Sequence, residues 1–335
     1  MDGGRRRAGF TLVELVVVGL VLALTCCLAA TTGQHARKRA GLAGSLANLK
    51  KIGEVTGNYV ADFDGRWWSL NWSPDNASSQ YDDLQNPTNI TNATAYQTTD
   101  IIRRRFNEDA PRFSSRFGVY WTSTLVLADY LDESLPMEWV VSPGDKVRLD
   151  WQADPDNPTD IGEQGGFGWA YAFCGFGSSY ELMPAYFAPD ERTQQSWTVT
   201  QYRASHKLTN VPNDFDFANR RHDEVLFPGQ KVHMAERASY FFGPTPAFYL
   251  HSVARVPVLM ADGAAAARTT GDANASFFPD NADNQNAESR TAYFPELRFE
   301  VPTLSGGTAD SNIDTFYKWT RRGLRGVDFS GERAE

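Results

Sequence analysis

The chain's first apolar segment begins with Gly9-Phe10-Thr11-Leu12-Val13-Glu14 and runs to Ala30. Glu14 is its only charged residue. Because a helix rises about 1.5 Å per residue and a bilayer core is about 30 Å thick, residues 10–30 are predicted to form a transmembrane helix. Three arginines at positions 5–7 precede the run. This placement of positive charge predicts a cytoplasmic N-terminus, with the rest of the chain exported.

Glu14 is unusual in such a run, since a carboxylate within an apolar helix costs roughly 2.5 kcal/mol or more and therefore needs a partner. No Lys or Arg lies between Phe10 and Ala30. A second chain is one source of a partner. Cleavage after Gly9 would supply another, the new α-amino group of Phe10.

Other signals explain this segment less well. A plain signal anchor accounts for the arginines and the apolar run but not for Glu14 or Gly9-Phe10. A removed secretory signal has a shorter apolar core and a small-residue cleavage site. Thr25-Cys26-Cys27 lacks the small residue expected before a lipidated Cys, and Arg6-Arg7 is a poor twin-arginine signal because its flanking residues do not fit.

The segment Arg5-Arg6-Arg7-Ala8-Gly9, followed by Phe10 to Leu15, resembles the type IV prepilin signal. The resemblance implies that a prepilin peptidase cleaves after Gly9 and methylates the new N-terminal Phe10. It also implies that Glu14 pairs with a neighbouring subunit's N-terminal amine during filament assembly. The implied partners are this peptidase, other pilin or pseudopilin subunits, the inner-membrane assembly platform and the membrane itself.

Apolar residues continue at three- and four-residue steps beyond the run, at Leu42, Leu46, Leu49, Ile52, Val55, Tyr59 and Phe63. This period is typical of an amphipathic helix. One helix is therefore predicted from about Phe10 to about Ala61, and Asp62-Phe63-Asp64-Gly65 provides its stop signal.

The remaining chain alternates polar stretches with short predicted elements. They are a surface loop over 73–100, a helix over 123–131, strands at 139–141 and 231–235, and a β-hairpin over 256–269 that turns at Asp262-Gly263. Together they predict an α+β, pilin-like fold. In it, a long N-terminal transmembrane and amphipathic α-helix packs on a C-terminal globular domain with an antiparallel β-sheet.

The predicted organisation has four parts. A leader occupies residues 1–9, the transmembrane helix 10–30, its amphipathic continuation 31–63, and a periplasmic or extracellular globular domain 64–335. The predicted location is the bacterial inner membrane, with a single pass. The 335 residues carry a net charge of −9. The exported domain is therefore also predicted to be acidic, and its negative charge argues against a nucleic-acid partner. Only Cys174 lies beyond the apolar run, so no disulfide forms within the globular domain.

The globular part also resembles prepilin-like proteins of planctomycetes and related bacteria, which carry a domain named for a His, nine residues and Asp-Gly. The matching pieces are Asn48 to Gly53 with Tyr59, Ser142-Pro143-Gly144-Asp145, Ser179-Tyr180, His251 and Asp262-Gly263. Two features depart from the pattern. Ten residues separate His251 from Asp262, and Ser142 stands where the family often has Cys. The resemblance implies an architecture rather than an activity.

No catalytic constellation is recognisable, so the protein is not expected to be an enzyme. The histidines form no His-Glu-X-X-His motif. His251 with Asp262 is either a hydrogen-bonded pair or, as we expect, a packed imidazole beside a turn residue. Cys174 has no recognisable base, and a buried thiol is its expected state.

No cofactor is expected, apart from one calcium hypothesis. Asp272, Asp280 and Asp283 offer hard oxygen ligands of the kind that Ca²⁺ accepts, with Asn281, Asn284 and Asn286 near them in the chain. Major pseudopilins of type II secretion systems carry calcium in a C-terminal loop, which makes the comparison reasonable. The competing interpretation is a solvated acidic loop.

The resemblance predicts a structural subunit, a minor or specialised pilin or pseudopilin of a type IV pilus or type II secretion pseudopilus. The alternative is a membrane-anchored extracytoplasmic binding module that uses the pilin signal only as an anchor, with carbohydrate as a candidate ligand. The cluster Trp67, Trp68 and Trp72 motivates it. Exposed tryptophans would favour the binding module, and buried ones the subunit. An anchored hydrolase is a third alternative that lacks a catalytic site.

Overall fold

The computed structural model describes residues 11–112, 119–155, 175–188, 219–276, 289–295 and 298–329. The helices are α1 (Leu12–Asp62), α2 (Ile90–Arg105), α3 (Val119–Thr122), α4 (Leu125–Leu131) and α5 (Lys146–Ala153). The strands are β1 (Tyr180–Leu182), β2 (Val232–Glu236), β3 (Arg255–Met260), β4 (Ala265–Thr269), β5 (Arg290–Tyr293) and β6 (Asp310–Asp314). Strands β1-β2-β3-β4 form one antiparallel sheet and β5-β6 another, so the fold is α+β with antiparallel sheets.

The long helix α1 has 51 residues, which confirms the predicted single helix and its C-terminal end. Beyond its last turn, Asp64 and Gly65 both have positive φ angles, and this conformation turns the chain away. The buried stripe Leu49, Ile52 and Val55 packs this part of the helix on β3 and β4. The apolar residues at the helical period are therefore those with which α1 packs on the sheet.

The N-terminal part of α1, from Leu12 to Thr25, is exposed. Leu12, Leu20 and Leu24 keep 81%, 67% and 66% of their surface in solvent. No helix within the described residues is both long and apolar enough to cross a membrane. The predicted transmembrane helix over 10–30, and with it that part of the pilin-like fold class, is therefore wrong. The prediction rested on the apolar run of the sequence alone.

The main sheet lies between α1 and the C-terminal segment. Tyr180 of β1 faces the helix, where its hydroxyl lies 3.1 Å from Ser45 Oγ. Glu181, the next residue, points to the other face and meets Lys318 Nζ at 2.6 Å. Since both faces are covered, all five residues of β2 are buried.

The predicted hairpin is confirmed, with β3 and β4 joined at Asp262-Gly263. Gly263 has φ +84°, a conformation that favours glycine and explains the Asp-Gly sequence. The predicted strand at 231–235 is also confirmed, as β2.

Two further sequence predictions are wrong. The predicted loop over 73–100 contains most of α2, which Asn89 caps by accepting a hydrogen bond from Asn92 N. The threonines on its buried side satisfy their hydroxyls on carbonyls one turn back, as Thr98 does on Thr94, and a polar sequence thereby forms a buried helix. The predicted strand at 139–141 is instead a 3₁₀ turn over Glu138–Val140.

Candidate functional site

The predicted processing site Gly9-Phe10 lies outside the described residues, which begin at Thr11. Thr11 is the N-cap of α1. Its backbone N–H donates to Glu14 Oε2 over 2.8 Å, and Glu14 N donates back to Thr11 Oγ1 over 3.3 Å. The bonds from Thr11 lower the pKa of the exposed Glu14 carboxyl. The carboxylate is thus ionised, held in a capping box, and placed at the beginning of the helix.

The side chains on either side of Glu14, from Leu12 to Leu24, form an exposed apolar segment, which we call the apolar half of α1. Its members range from 48% to 81% exposed, and they are Leu12, Val13, Leu15, Val16, Val17, Val18, Leu20, Val21, Leu22 and Leu24. They point in all directions around the helix, and a helix that is apolar all round belongs in a buried setting. An exposed apolar surface of this extent marks an interaction site.

The motif pieces from the middle of the chain meet in one buried polar cluster. Asn48 Nδ2 donates to Val141 O over 2.9 Å and so ties α1 to the segment before Ser142. Ser179 Oγ donates to Asp145 Oδ2 over 2.8 Å. These contacts join three segments that are far apart in sequence.

Asp145 is the centre of this cluster. It caps α5, forms an ion pair with Arg148 Nη1 at 2.7 Å, and is almost fully buried, as is the arginine. A Cβ on the neighbouring Gly144 would lie 2.4 Å from Tyr240 Cβ, so only glycine fits there. These contacts give packing roles to Asn48, Ser142-Pro143-Gly144-Asp145 and Ser179-Tyr180.

Glu236 of β2 lies on the same side of the sheet. Burial raises the pKa of its carboxyl to about 8, an effect that the hydroxyls of Ser142 and Ser45 only partly offset. The carboxyl is therefore largely neutral at pH 7. Because ionisation of this buried carboxyl is unfavourable, the folded state is expected to lose stability as the pH rises.

His251 and Asp262 do not form the hydrogen-bonded pair considered from the sequence. His251 Nε2 lies 3.0 Å from Asp310 Oδ2, and burial lowers the pKa of the imidazole while Asp310 opposes the shift. Asp262 Oδ1 instead accepts from Ala264 N over 2.9 Å, which fixes the hairpin turn. The expected roles, a packed imidazole and a turn residue, match this geometry.

A cavity of about 320 Å³ lies between α1 and the hairpin turn. It is lined by Gly53, Thr56, Gly57, Val60 and Ala61 of α1, by Met260, Ala261, Asp262 and Gly263 of the hairpin, and by Trp67, His222 and His233. Gly57, Ala61 and Asp262 are exposed and form its mouth. No atom lies within 4 Å of the Cβ position on Gly57 in the described structure, so the cavity is open above this residue.

The inner wall of the cavity is aromatic. The rings of Trp67 and His233 lie 4.9 Å apart between centroids, and His222 lies 5.2 Å from Trp67. Burial, with a smaller effect from His222, lowers the pKa of His233 to about 3, so this imidazole is neutral. Among the described residues, neither Trp67 Nε1 nor His233 Nε2 has a hydrogen-bond partner.

The tryptophan cluster is not a surface platform. Trp67 and Trp68 are 2% and 0% exposed, and Trp68 Nε1 donates to Thr56 Oγ1 over 2.7 Å. Trp72 is half-buried. The exposed platform that motivated the binding module is therefore not formed by Trp67 and Trp68.

Of the three carboxylates proposed to bind calcium, only Asp272 lies within the described residues. Asp272 lies in a 3₁₀ turn and is exposed, whereas Asp280 and Asp283 lie outside the described residues, as does Cys174. Within the part of the chain that the structure describes, no three His, Cys, Asp or Glu side chains are grouped as metal ligands. Calcium binding stays a prediction.

The cavity was not predicted from the sequence. The sequence feature that could have indicated it is the series Gly53, Gly57 and Ala61, small residues one helical turn apart that lie opposite the Asp262-Gly263 turn. No protein-family model, curated protein or solved structure matches the chain. The function is therefore argued from the N-terminal signal and from the geometry of the described residues.

Proposed function

We propose that the chain is a structural subunit of a type IV pilus or type II secretion pseudopilus, cleaved by a prepilin peptidase after Gly9 and N-methylated at Phe10. The observation that carries this proposal is the division of α1. Its C-terminal half is embedded in the globular body through Leu49, Ile52 and Val55, while its apolar half is exposed. A body that holds one end of a helix and presents the other, apolar end has the form of a filament subunit.

The occupant we assign to the apolar half is the same half of other subunits. Ten exposed Leu and Val side chains surround the helix, so several neighbours are needed to cover it, as in a central bundle. Gly19, with no atom within 4 Å of its Cβ position in the described structure, allows two such helices to approach closely. Leu and Val side chains from adjacent helices would interdigitate along the bundle.

Glu14 gives the bundle its register. In the separate subunit its carboxylate is satisfied by Thr11. In a packed bundle a buried carboxylate needs a charged partner, because an unpaired buried charge is costly. The methylated amine of Phe10 on a neighbouring subunit has the right charge, and it exists only after cleavage behind Gly9.

The size of the globular body favours a minor or specialised subunit. Residues 64–335 form most of the chain, and such bulk around a thin helical bundle limits how densely copies repeat along a filament. A subunit at a tip, or one present in few copies, avoids this crowding.

The decisive experiment is intact-mass and N-terminal analysis of the protein from its native cells. The expected chain begins at methylated Phe10. Gly9→Leu blocks the cut and leaves the chain starting at Met1, whereas the control Gly4→Leu, a second leader glycine, is processed normally. A wild-type chain that starts at Met1, or one cut near Cys27 or Ala29, would overturn the proposal.

A further inference from the structure

We propose that the cavity beside the C-terminal end of α1 binds a small hydroxylated molecule, a monosaccharide or polyol. The cavity lies outside the apolar half of α1, so this inference does not depend on filament assembly. Its volume of about 320 Å³ is at the lower end of the roughly 300–1,000 Å³ typical of small-molecule sites. The site therefore suits a single sugar ring.

Two buried hydrogen-bonding groups of the cavity lack partners among the described residues. Trp67 is 2% exposed and His233 1% exposed, and in the described part of the chain Trp67 Nε1 and His233 Nε2 make no hydrogen bond. Trp68, the next residue along, does have its partner in Thr56. Buried polar groups are normally satisfied, so a polar ligand in the cavity is the missing partner for Trp67 and His233.

The ligand must both donate and accept hydrogen bonds. The Trp67 indole N–H is a donor only, whereas the Asp262 carboxylate at the mouth is an acceptor. A hydroxyl group does both, and a sugar carries several around one ring. The carboxylate of Asp262 and the neutral imidazole of His233 disfavour an anion.

The remaining walls fit the C–H face of a sugar ring. Gly53 and Gly57 expose helix backbone without side chains, and Val60 and Met260 add apolar surface. The aromatic rings of Trp67 and His222 stand across from them, 5.2 Å apart between centroids. Such apolar and aromatic walls with few polar groups are typical of small-molecule sites.

The test is a titration of the full ¹⁵N-labelled chain, kept monodisperse in an amine-oxide detergent that has no sugar headgroup. The probes are D-glucose, D-galactose and N-acetyl-D-glucosamine, raised to tens of millimolar because weak sites bind in the millimolar range. We expect one of them to shift the Trp67 indole N–H and the Gly57 amide resonances. The Trp67→Phe variant assigns the indole signal by its absence.

Gly57→Leu fills the cavity from the helix side, where there is open space for a side chain. It is expected to weaken binding at least tenfold with the fold intact. Gly33→Leu is the matched control, since Gly33 also has nothing within 4 Å of its Cβ position in the described structure but lies far along the helix. It is expected to bind as the wild type does. Shifts that persist in Gly57→Leu would overturn the cavity as the site.

Asp262→Asn keeps the turn-forming oxygen and removes the charge, so it is expected to weaken binding several-fold without unfolding the hairpin. Tetramethylammonium is the competing probe, because aromatic rings with a carboxylate also attract cations. Binding of this cation without any response to the three sugars would overturn the proposed ligand class. No shift with any probe would overturn the site. A sugar response supports this site even if the protein from native cells begins at Met1, a result that would overturn filament processing alone.

Discussion

A Cβ placed on Gly53 of α1 would lie 3.1 Å from the Cα of Gly263 in the hairpin turn. The helix and the turn therefore touch backbone to backbone, and this contact closes one end of the cavity. One turn further along the helix, Gly57 has open space above it in the described structure. Two glycines on one face thus have opposite roles.

Gly53→Leu is expected to destabilise the protein by about 1–3 kcal/mol, because the added side chain overpacks the contact with Leu259 and Gly263. Gly57→Leu is the matched control, and it is expected to be neutral or stabilising by up to about 1 kcal/mol, the helix propensity that glycine lacks. Urea unfolding followed by circular dichroism measures both. Equal effects of the two substitutions would contradict the close contact at Gly53.

The Asp145–Arg148 pair is expected to be essential for stability. Asp145→Ala leaves the buried Arg148 uncompensated and removes the acceptor for Ser179, so we expect a loss of about 3–5 kcal/mol. The control is Asp83→Ala, which breaks the Arg103–Asp83 pair at a carboxylate that is 44% exposed. It is expected to cost at most about 1 kcal/mol. The free energy of unfolding in urea distinguishes the two variants, and similar losses would argue against a structural cluster at Asp145.

The raised pKa of the Glu236 carboxyl predicts that the folded protein loses stability at high pH. Its folded-state pKa of about 8 lies above the ordinary value of 4.5, so the folded state binds more protons than the unfolded state between these values. Its contribution is therefore complete below pH 4.5 and is lost as the pH rises through 8. Glu236→Gln is expected to remove this part of the slope of unfolding free energy against pH.

The control for Glu236 is Glu54→Gln, which changes an exposed glutamate of α1. It is expected to leave the slope unchanged. If Glu236→Gln had the same pH dependence as the wild type between pH 5 and 9, the buried neutral carboxyl would be excluded.

The lowered pKa of the His233 imidazole predicts that the folded protein loses stability at low pH. Its folded-state pKa of about 3 lies below the ordinary 6.5, so the unfolded state binds the extra proton between these values. Stability from this group is present above pH 6.5 and is lost as the pH falls toward 3. His233→Gln is expected to flatten the acid limb of the unfolding curve, whereas His35→Gln, at an exposed position of α1, is expected to keep it. An unchanged acid limb in His233→Gln would mean that another group is responsible.

The parts of the fold predicted from sequence are those in which local period and packing agree. Leu49, Ile52 and Val55 are spaced by the helical repeat and are also the residues that α1 buries. The Asp262-Gly263 turn was predictable because a tight hairpin turn requires the positive φ that Gly263 adopts.

The parts that were missed depend on contacts between distant residues. Helix α2 buries threonines that bond to their own backbone, as Thr98 does, and such residues give no apolar period. The cavity brings together Gly57 and Asp262, which are far apart in the sequence. A local sequence pattern cannot predict that two such distant residues lie close together. The transmembrane prediction failed for a different reason. It took a run of apolar residues as sufficient, whereas no helix among the described residues is both long and apolar enough to cross a membrane.

Glu14 offers the sharpest test of assembly. In the separate subunit its carboxylate only caps α1 through Thr11, so Glu14→Gln, which keeps a side-chain oxygen at the cap, is expected to leave folding and cleavage after Gly9 unchanged. It removes the charge that a neighbouring N-terminal amine needs, and the fraction of chain that sediments as sheared filaments is expected to fall at least tenfold. Glu54→Gln, on the same helix but outside the apolar half, is expected to assemble normally. A Glu14→Gln chain that is cleaved and assembles as the wild type does would show that Glu14 is only a helix cap, and filament register would then have to come from the packing of the apolar half alone.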